Sequence, residues 1–166
     1  MAEALFITTD DLKRYSAFSG NIDEDKLLQY VKMAQDIHLE NYLGTDLKDR
    51  LQAGIIADDL SANETTLLNT YVKPMTIHWS IVVALKYIPY VVSNNGVYKK
   101  TSENSETLTK SELDSMIEDH RDIAQSYTRK FIDFMCYNKD DYPQYDSNTN
   151  EDTKPSTNSN FGGWVL

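Results

Sequence analysis

The feature that most constrains the fold is a long apolar seam in the last third of the chain. Residues 109–112 read Thr-Lys-Ser-Glu, a capping box in which the first and last side chains satisfy each other's free backbone N–H groups. Leu108 and Leu113 flank it as a hydrophobic staple. Apolar or aromatic side chains then recur at spacings of four and three, the period of one helix face: Leu113, Ile117, His120, Ala124, Tyr127, Phe131 and Phe134. This pattern predicts one helix to about Asn138, about 43 Å long.

Four shorter helices are predicted upstream of position 74 by caps and stop signals. Thr8 and Asp11 form an N-cap pair for the first, which we expect to end at Gly20. The second runs from about 22 to 43 and ends at Gly44, with one side formed by Leu27, Val31, Ala34, Ile37 and His38. Thr45 offers an N-cap for a third helix that Gly54 ends, and the capping box Ser61–Glu64 begins a fourth.

The fifth helix is expected to lie at the centre of the bundle. Pro74 removes a backbone donor, so we expect a break or kink near Lys73, with Pro74 in the first turn of a helix over about 74–92. Its side chains are apolar nearly all round, which is typical of a buried helix. The whole chain is therefore predicted to be all-α, a compact bundle of about five to six helices.

Charge distribution limits the classes of partner. The 166 residues carry a formal net charge of −10, and residues 140–166 hold five acidic side chains against one lysine. Such a surface repels phosphates, so direct DNA binding is not expected, although DNA can pass close by. The most apolar stretch, 75–92, contains His78, Lys86 and Pro89 and is predicted to be a core helix rather than a membrane span. No signal peptide is recognised.

Two segments are predicted to stand away from the helical domain of residues 1–139. Residues 94–108 form a polar loop around an Asn-Gly turn signal, and on residue types alone this loop can be an ordinary surface connection. Its length and its basic pair in an acidic chain suggest the alternative, an arm that meets a neighbour's acidic face: Asn95, Gly96, Val97, Tyr98, Lys99 and Lys100. Residues 140–166 form an acidic tail with an apolar tip, which suggests a peptide that docks on another protein: Phe161, Trp164, Val165 and Leu166.

No catalytic, metal-binding or cofactor site is predicted. Cys136 is the single cysteine, without a histidine nearby in sequence, and is expected to be a small buried hydrophobe. The three histidines, His38, His78 and His120, lack ligand spacing and are expected in the core or an interface. An enzyme using Glu118, Asp119 and Asp122 is weighed against the simpler interpretation, a solvated helix face.

Several ordered motifs resemble the head–tail connector (adaptor) proteins of tailed bacteriophages, in the version of crAss-like phages. An early helix ends in the turn Asn41-Tyr-Leu-Gly-Thr-Asp-Leu47, after the run Ala34-Gln-Asp-Ile37. The further motifs, in order, are Tyr71-Val-Lys-Pro74, the apolar helix with Trp79, Asn95-Gly-Val97, Ser102-Glu-Asn-Ser105, Tyr127-Thr-Arg129 and Gly163-Trp-Val-Leu166.

This resemblance implies a virion structural protein rather than an enzyme. Its partners would be the portal protein, further copies of itself in a ring (commonly twelvefold), and tail or neck proteins, with genomic DNA passing through and no membrane involved. It would be made in the host bacterial cytoplasm and reside in the virion neck. The alternative is a soluble acidic interaction module, such as a DNA-mimicking inhibitor or a regulator, acting as a monomer or dimer.

Overall fold

The fold is all-α, with one small β-ribbon. A computed structural model of the protein describes residues 3–16, 18, 22–93, 96–99 and 109–158, with 91–93 and 96–99 described by their backbone alone. The helices are α1 (Thr9–Arg14), α2 (Glu24–Ala34), α3 (Glu40–Leu43), α4 (Thr45–Ala57), α5 (Ala62–Leu67), α6 (Lys73–Tyr87), α7 (Lys110–Asn138) and α8 (Pro143–Asp146). The strands are β1 (Tyr90–Ser93) and β2 (Gly96–Lys99), and a short 3₁₀ turn spans Lys139–Asp141.

A π-helical turn, Gln35–Leu39, joins α2 to α3 into one continuous helix of the predicted extent. The backbone N–H of Glu40 donates to the carbonyl of Gln35, five residues back, so this turn holds one extra residue. The extra residue rotates the following side chains, and Gln35 and Leu39 face the core. Ile37, which the sequence placed on the core side, is 59% exposed. That placement was wrong because it assumed an unbroken period of 3.6.

A second π-helical turn, Leu68–Val72, joins α5 to α6. Pro74 lies in the first turn of α6, as predicted, but the chain stays helical through Lys73, whose N–H donates to the carbonyl of Leu68. The departure from α-helical geometry is therefore the π-helical turn that precedes Pro74. The chain stays helical across Lys73, so the predicted break there does not occur. The predicted end at 92 was also wrong. Helix α6 ends at Tyr87. The N–H of Ile88 still donates to the carbonyl of Ala84, but Pro89 has no N–H with which to continue the helix.

The centre of the molecule is the contact between α6 and α7. Ten of the fifteen side chains of α6 are buried, which confirms it as the central helix. Helix α7 is the longest, with 29 residues, and buries Ile117, Ala124 and Phe131 from the predicted seam. The indole N–H of Trp79 donates to the hydroxyl of Thr128 at 3.0 Å inside this contact. The last helix therefore packs directly on the central one.

Caps at the other helix ends agree only partly with the sequence. All three predicted capping pairs are formed, at Thr8, Ser61 and Thr109. Helix α1 ends at Arg14, and Gly20 and Leu108 lie outside the described residues. Gly44, rather than Thr45, is the N-cap of α4. Gly54 does not end this helix but lies inside α4. A Cβ at this position would lie 2.4 Å from Cδ2 of Leu60, so the close packing of Leu60 requires glycine.

Candidate interaction surface

The predicted arm begins as a two-stranded hairpin that follows α6. Strands β1 and β2 pair antiparallel, with Tyr90 opposite Lys99 and Ser93 opposite Gly96. Gly96 therefore begins the second strand instead of standing in the turn, and residues 90–92 belong to the first strand rather than to a helix. Asn95 and Lys100 lie outside the described residues, and Val97, Tyr98 and Lys99 are described by their backbone alone.

An aromatic cleft lies at the root of this hairpin. It has a volume of about 290 Å³ and is lined by Gln29, Tyr30, Met33, Tyr87 and Tyr90. The rings of Tyr30 and Tyr87 lie nearly parallel, with their centroids 6.1 Å apart. Tyr30 is buried, whereas Tyr87 is 50% exposed and Tyr90 is exposed to a similar extent. Burial, helped by Tyr87, raises the pKa of Tyr30, so its hydroxyl stays neutral. Exposed tyrosines around a concave surface are typical of protein interfaces.

The segment after α7 packs on the bundle instead of forming a free leash. We call residues 139–158 the strap. Tyr142 and Tyr145 of the strap are buried, with Tyr142 edge-on to Phe134 and Tyr145 edge-on to Phe131. The hydroxyl of Tyr142 donates to the carbonyl of Asn63 at 3.0 Å. The expectation that the acidic tail stands away from the bundle was wrong for these residues, because two aromatic side chains in the polar segment reach the core.

Polar contacts fix the rest of the strap to the junction of α3 and α4. The carboxylate of Asp46 accepts hydrogen bonds from the Ser147 hydroxyl and from the backbone N–H and hydroxyl of Thr149, at 2.6–3.0 Å. These bonds favour the charged form and lower the pKa of Asp46. Further along, the N–H of Thr45 donates to the carbonyl of Thr153 at 3.1 Å. The N–H of Ser156 donates to the carbonyl of Asn41 at 2.8 Å.

Gly44 lets the strap approach the helix junction closely. Its φ of 74° and ψ of 161° belong to a region that side chains with a Cβ rarely adopt. A Cβ at this position would lie 2.7 Å from Cδ of Pro155. The glycine is therefore required both by its own backbone and by the proline that packs against it.

The predicted docking tip begins where the described strap ends. Phe161, Trp164, Val165 and Leu166 lie outside the described residues. Their role therefore stays a prediction.

The histidines lie at helix contacts, in agreement with the sequence. His38 stacks on Trp79 with ring centroids 4.0 Å apart, and burial, with repulsion from Lys86 and Arg121, lowers the pKa of His38 to about 4. His78 stacks on Tyr127 at 4.9 Å. Burial, with repulsion from His120, lowers the pKa of His78. Neither the Nδ1 of His78 nor that of His120 has a hydrogen-bond partner among the described residues.

A second, more polar cleft of about 360 Å³ lies between α1, α6 and α7 beside His78. Its other lining residues include Asp11, Tyr15, Lys73 and Tyr127. The carboxylate of Asp11 and the ammonium of Lys73 line the same cleft, so the cleft favours neither an anionic nor a cationic ligand. Cys136 is exposed on α7, so its expected burial was wrong. Among the residues that the structure describes, no group of three or more His, Cys, Asp or Glu side chains is arranged to hold a metal ion.

A family model matches residues 39–155, which is most of the chain. The chain belongs to DUF6712, a family of unknown function. The match spans α3 through Pro155 of the strap, so the DUF6712 region includes α6, α7 and most of the segment that covers the α3–α4 junction. No curated protein and no solved structure matches the chain. No helix in the described part of this DUF6712 protein is long and apolar enough to cross a membrane.

The sequence missed the cleft and the strap contacts for different reasons. Tyr87 and Tyr90 were assigned to one buried helix, so their exposure beside Tyr30 was not anticipated. The bend at Pro89 is the signal that would have placed them at a helix–strand junction. For Asp46, no local signal exists, because its partners lie 101 and 103 residues away in the chain.

Proposed function

We propose that this protein is a non-catalytic structural subunit of tailed bacteriophage particles, a ring-forming adaptor between the portal and the tail. The observation that carries the proposal is the placement of two segments at separate points along one helix. The hairpin arm begins beside Tyr30, in α2, and the strap is hydrogen-bonded to Asn41, in α3. These positions are about 16 Å apart at 1.5 Å per residue.

An adaptor needs separate contacts for the component above it, the component below it and its neighbours in the ring. The arm supplies one such surface, and the tail with its apolar tip supplies another. The acidic character of the chain suits a wall that DNA passes without adhering, since like charges repel. The resemblance of the motifs to connector proteins points to the same role.

The net charge also predicts how the ring would assemble. A charge of −10 makes isolated copies repel one another, so we expect monomers at low concentration and a ring only on the portal. Added salt should promote self-association, because it screens charges beyond about 8 Å at physiological strength. Sedimentation at low and high salt tests this. A stable ring at low salt without any partner would contradict the expectation.

Density from particles that contain this chain tests the adaptor role directly. We expect copies arranged around a closed symmetry axis beneath the portal, with α2 oriented so that the arm and tail meet different components. The soluble inhibitor or regulator predicts instead a monomer or dimer that is absent from particles. A particle fraction without the protein would therefore reject the adaptor.

Charge reversal on the arm tests its part in assembly. Replacing Lys99→Glu together with Lys100→Glu should reduce incorporation into particles, because the arm would no longer attract an acidic neighbour. The matched control is Lys26→Glu with Lys130→Glu, which changes the net charge equally at two exposed lysines outside the arm and the strap. Equal losses from both pairs would show that net charge, not the arm, governs assembly.

A further inference from the structure

We infer that the apolar tip of the tail, residues 159–166, folds back along α2 of its own copy and fills the aromatic cleft at the root of the arm. This inference concerns the isolated chain and does not depend on the phage role. It rests on the direction of the strap, the length of the chain that remains, and the surface that lies ahead of it.

The strap runs antiparallel to the α2–α3 helix and heads toward the cleft. Thr153 is hydrogen-bonded to Thr45, and three residues later Ser156 is hydrogen-bonded to Asn41. As the strap advances along the chain, its contacts on the helix therefore move back toward the start of α2. The cleft lies in that direction, at Tyr30 and Met33.

The remaining chain has the right length. Tyr30 is 11 residues before Asn41, which is about 16 Å along a helix. An extended chain covers this distance in about five residues, at about 3.3 Å each. Five residues beyond Ser156 is Phe161, the first aromatic residue of the tip. The next two residues are glycines, which allow a sharp bend before Trp164.

An apolar stripe of two side chains, Met33 and Ile37, lies between the end of the strap and the cleft. Met33, Ile37 and Asn41 stand four residues apart, so they lie near one another on the outer side of the α2–α3 helix. Ile37 is 59% exposed in the middle of this path, and Met33 opens into the cleft beside the half-exposed ring of Tyr87. A polar tip would gain nothing there, whereas the tip of this chain carries Phe161, Trp164, Val165 and Leu166.

Tryptophan fluorescence of the full chain tests the contact. Trp79 is buried, and the spectrum of the Trp164→Phe variant isolates its emission, so the difference reports Trp164. We expect Trp164 emission to be blue-shifted and several-fold less accessible to acrylamide than in free peptide, at every protein concentration. Ile37→Glu should restore a solvent-exposed spectrum. Ile56→Glu is the matched control, because Ile56 is 57% exposed on α4, off the stripe.

Each other outcome overturns the inference. An exposed Trp164 at all concentrations shows that the tip does not dock. If Trp164 becomes protected from acrylamide only as the protein concentration rises, the apolar stripe binds the tip of a second copy. Protection that persists in Ile37→Glu, in a variant whose circular dichroism shows an intact fold, places the tip elsewhere.

Discussion

The α6–α7 contact and the strap both hold the bundle together, but they do so by different physics. The α6–α7 contact buries a continuous apolar seam with one hydrogen bond, Trp79 to Thr128, inside it. The strap is attached by its two buried tyrosines, by three hydrogen bonds to the Asp46 carboxylate, and by the packing of Pro155 against Gly44.

The difference predicts how the stability of each region responds to mutation. Burial along a seam is spread over many side chains, and its free energy follows the apolar area removed from water. Attachment at separate points depends on each contact, and the segments between these points remain exposed. We therefore expect mutations in the seam to lower global stability, whereas polar mutations in the strap should mainly release the strap.

The largest effect is expected from Phe131→Ala on α7. Phe131 is fully buried and contacts the strap through Tyr145, so its loss leaves a cavity shared by both regions. The free energy of unfolding should fall by about 3–5 kcal/mol, measured by urea denaturation. Tyr137→Ala on the same helix is the control and should change it by less than about 0.5 kcal/mol, because Tyr137 is 89% exposed. If both variants changed the free energy of unfolding by similarly small amounts, Phe131 would not belong to the core.

Gly44→Ala should cost about 1–3 kcal/mol, because alanine must adopt the backbone that glycine occupies at this junction. The added Cβ also meets Pro155, so part of the cost belongs to the strap. Adding Pro155→Ala to Gly44→Ala should remove the cost of the contact and leave the cost of the backbone conformation. A double-mutant cycle of unfolding free energies measures the difference. Strict additivity of the two changes would mean that the strap does not pack against Gly44.

The two buried strap tyrosines should respond to phenylalanine with opposite signs. Tyr142→Phe removes the hydrogen bond to Asn63 and should lower the free energy of unfolding by about 1 kcal/mol. Tyr145→Phe should raise it by about 1 kcal/mol, since the Tyr145 hydroxyl is buried without a hydrogen-bond partner among the described residues. Burial raises the pKa of Tyr145 to about 12. Two changes of equal sign in thermal or urea unfolding would refute this assignment.

The smallest effect is a local one at Asp46 and depends on pH. Its folded-state pKa is lowered below the ordinary value of 3.8, so its bonds to the strap are present above that value and are lost as pH falls through the lowered pKa. The amide of Thr149 should therefore lose protection from hydrogen exchange in acid, relative to its intrinsic rate, before α7 does. Asp46→Ala should expose this amide at every pH and remove the dependence. An unchanged amide in that variant would exclude the contact.

The sequence by itself determined most of the helical fold. Capping at Thr8, Ser61 and Thr109, the central position of α6 and the length of α7 follow from local patterns, because caps and helical periods involve residues close together in the chain. The Asn-Gly signal also indicated a chain reversal after the fifth helix, although Gly96 lies in the second strand and residues 90–92 in the first. These features were predicted correctly, since their physical causes act over a few residues.

Only the tertiary structure decided the phase of the helices, the path of the strap and the surface of the cleft. Each of the two π-helical turns holds one extra residue and so rotates the side chains that follow it. No local pattern signals the extra residue, and the exposure of Ile37 was therefore not predicted. The strap depends on contacts between Asp46 and residues more than 100 positions away. The cleft exists because the second half of α2 meets the end of α6. Contacts of this kind arise from the packing of distant elements, and a single sequence carries no local signal for them.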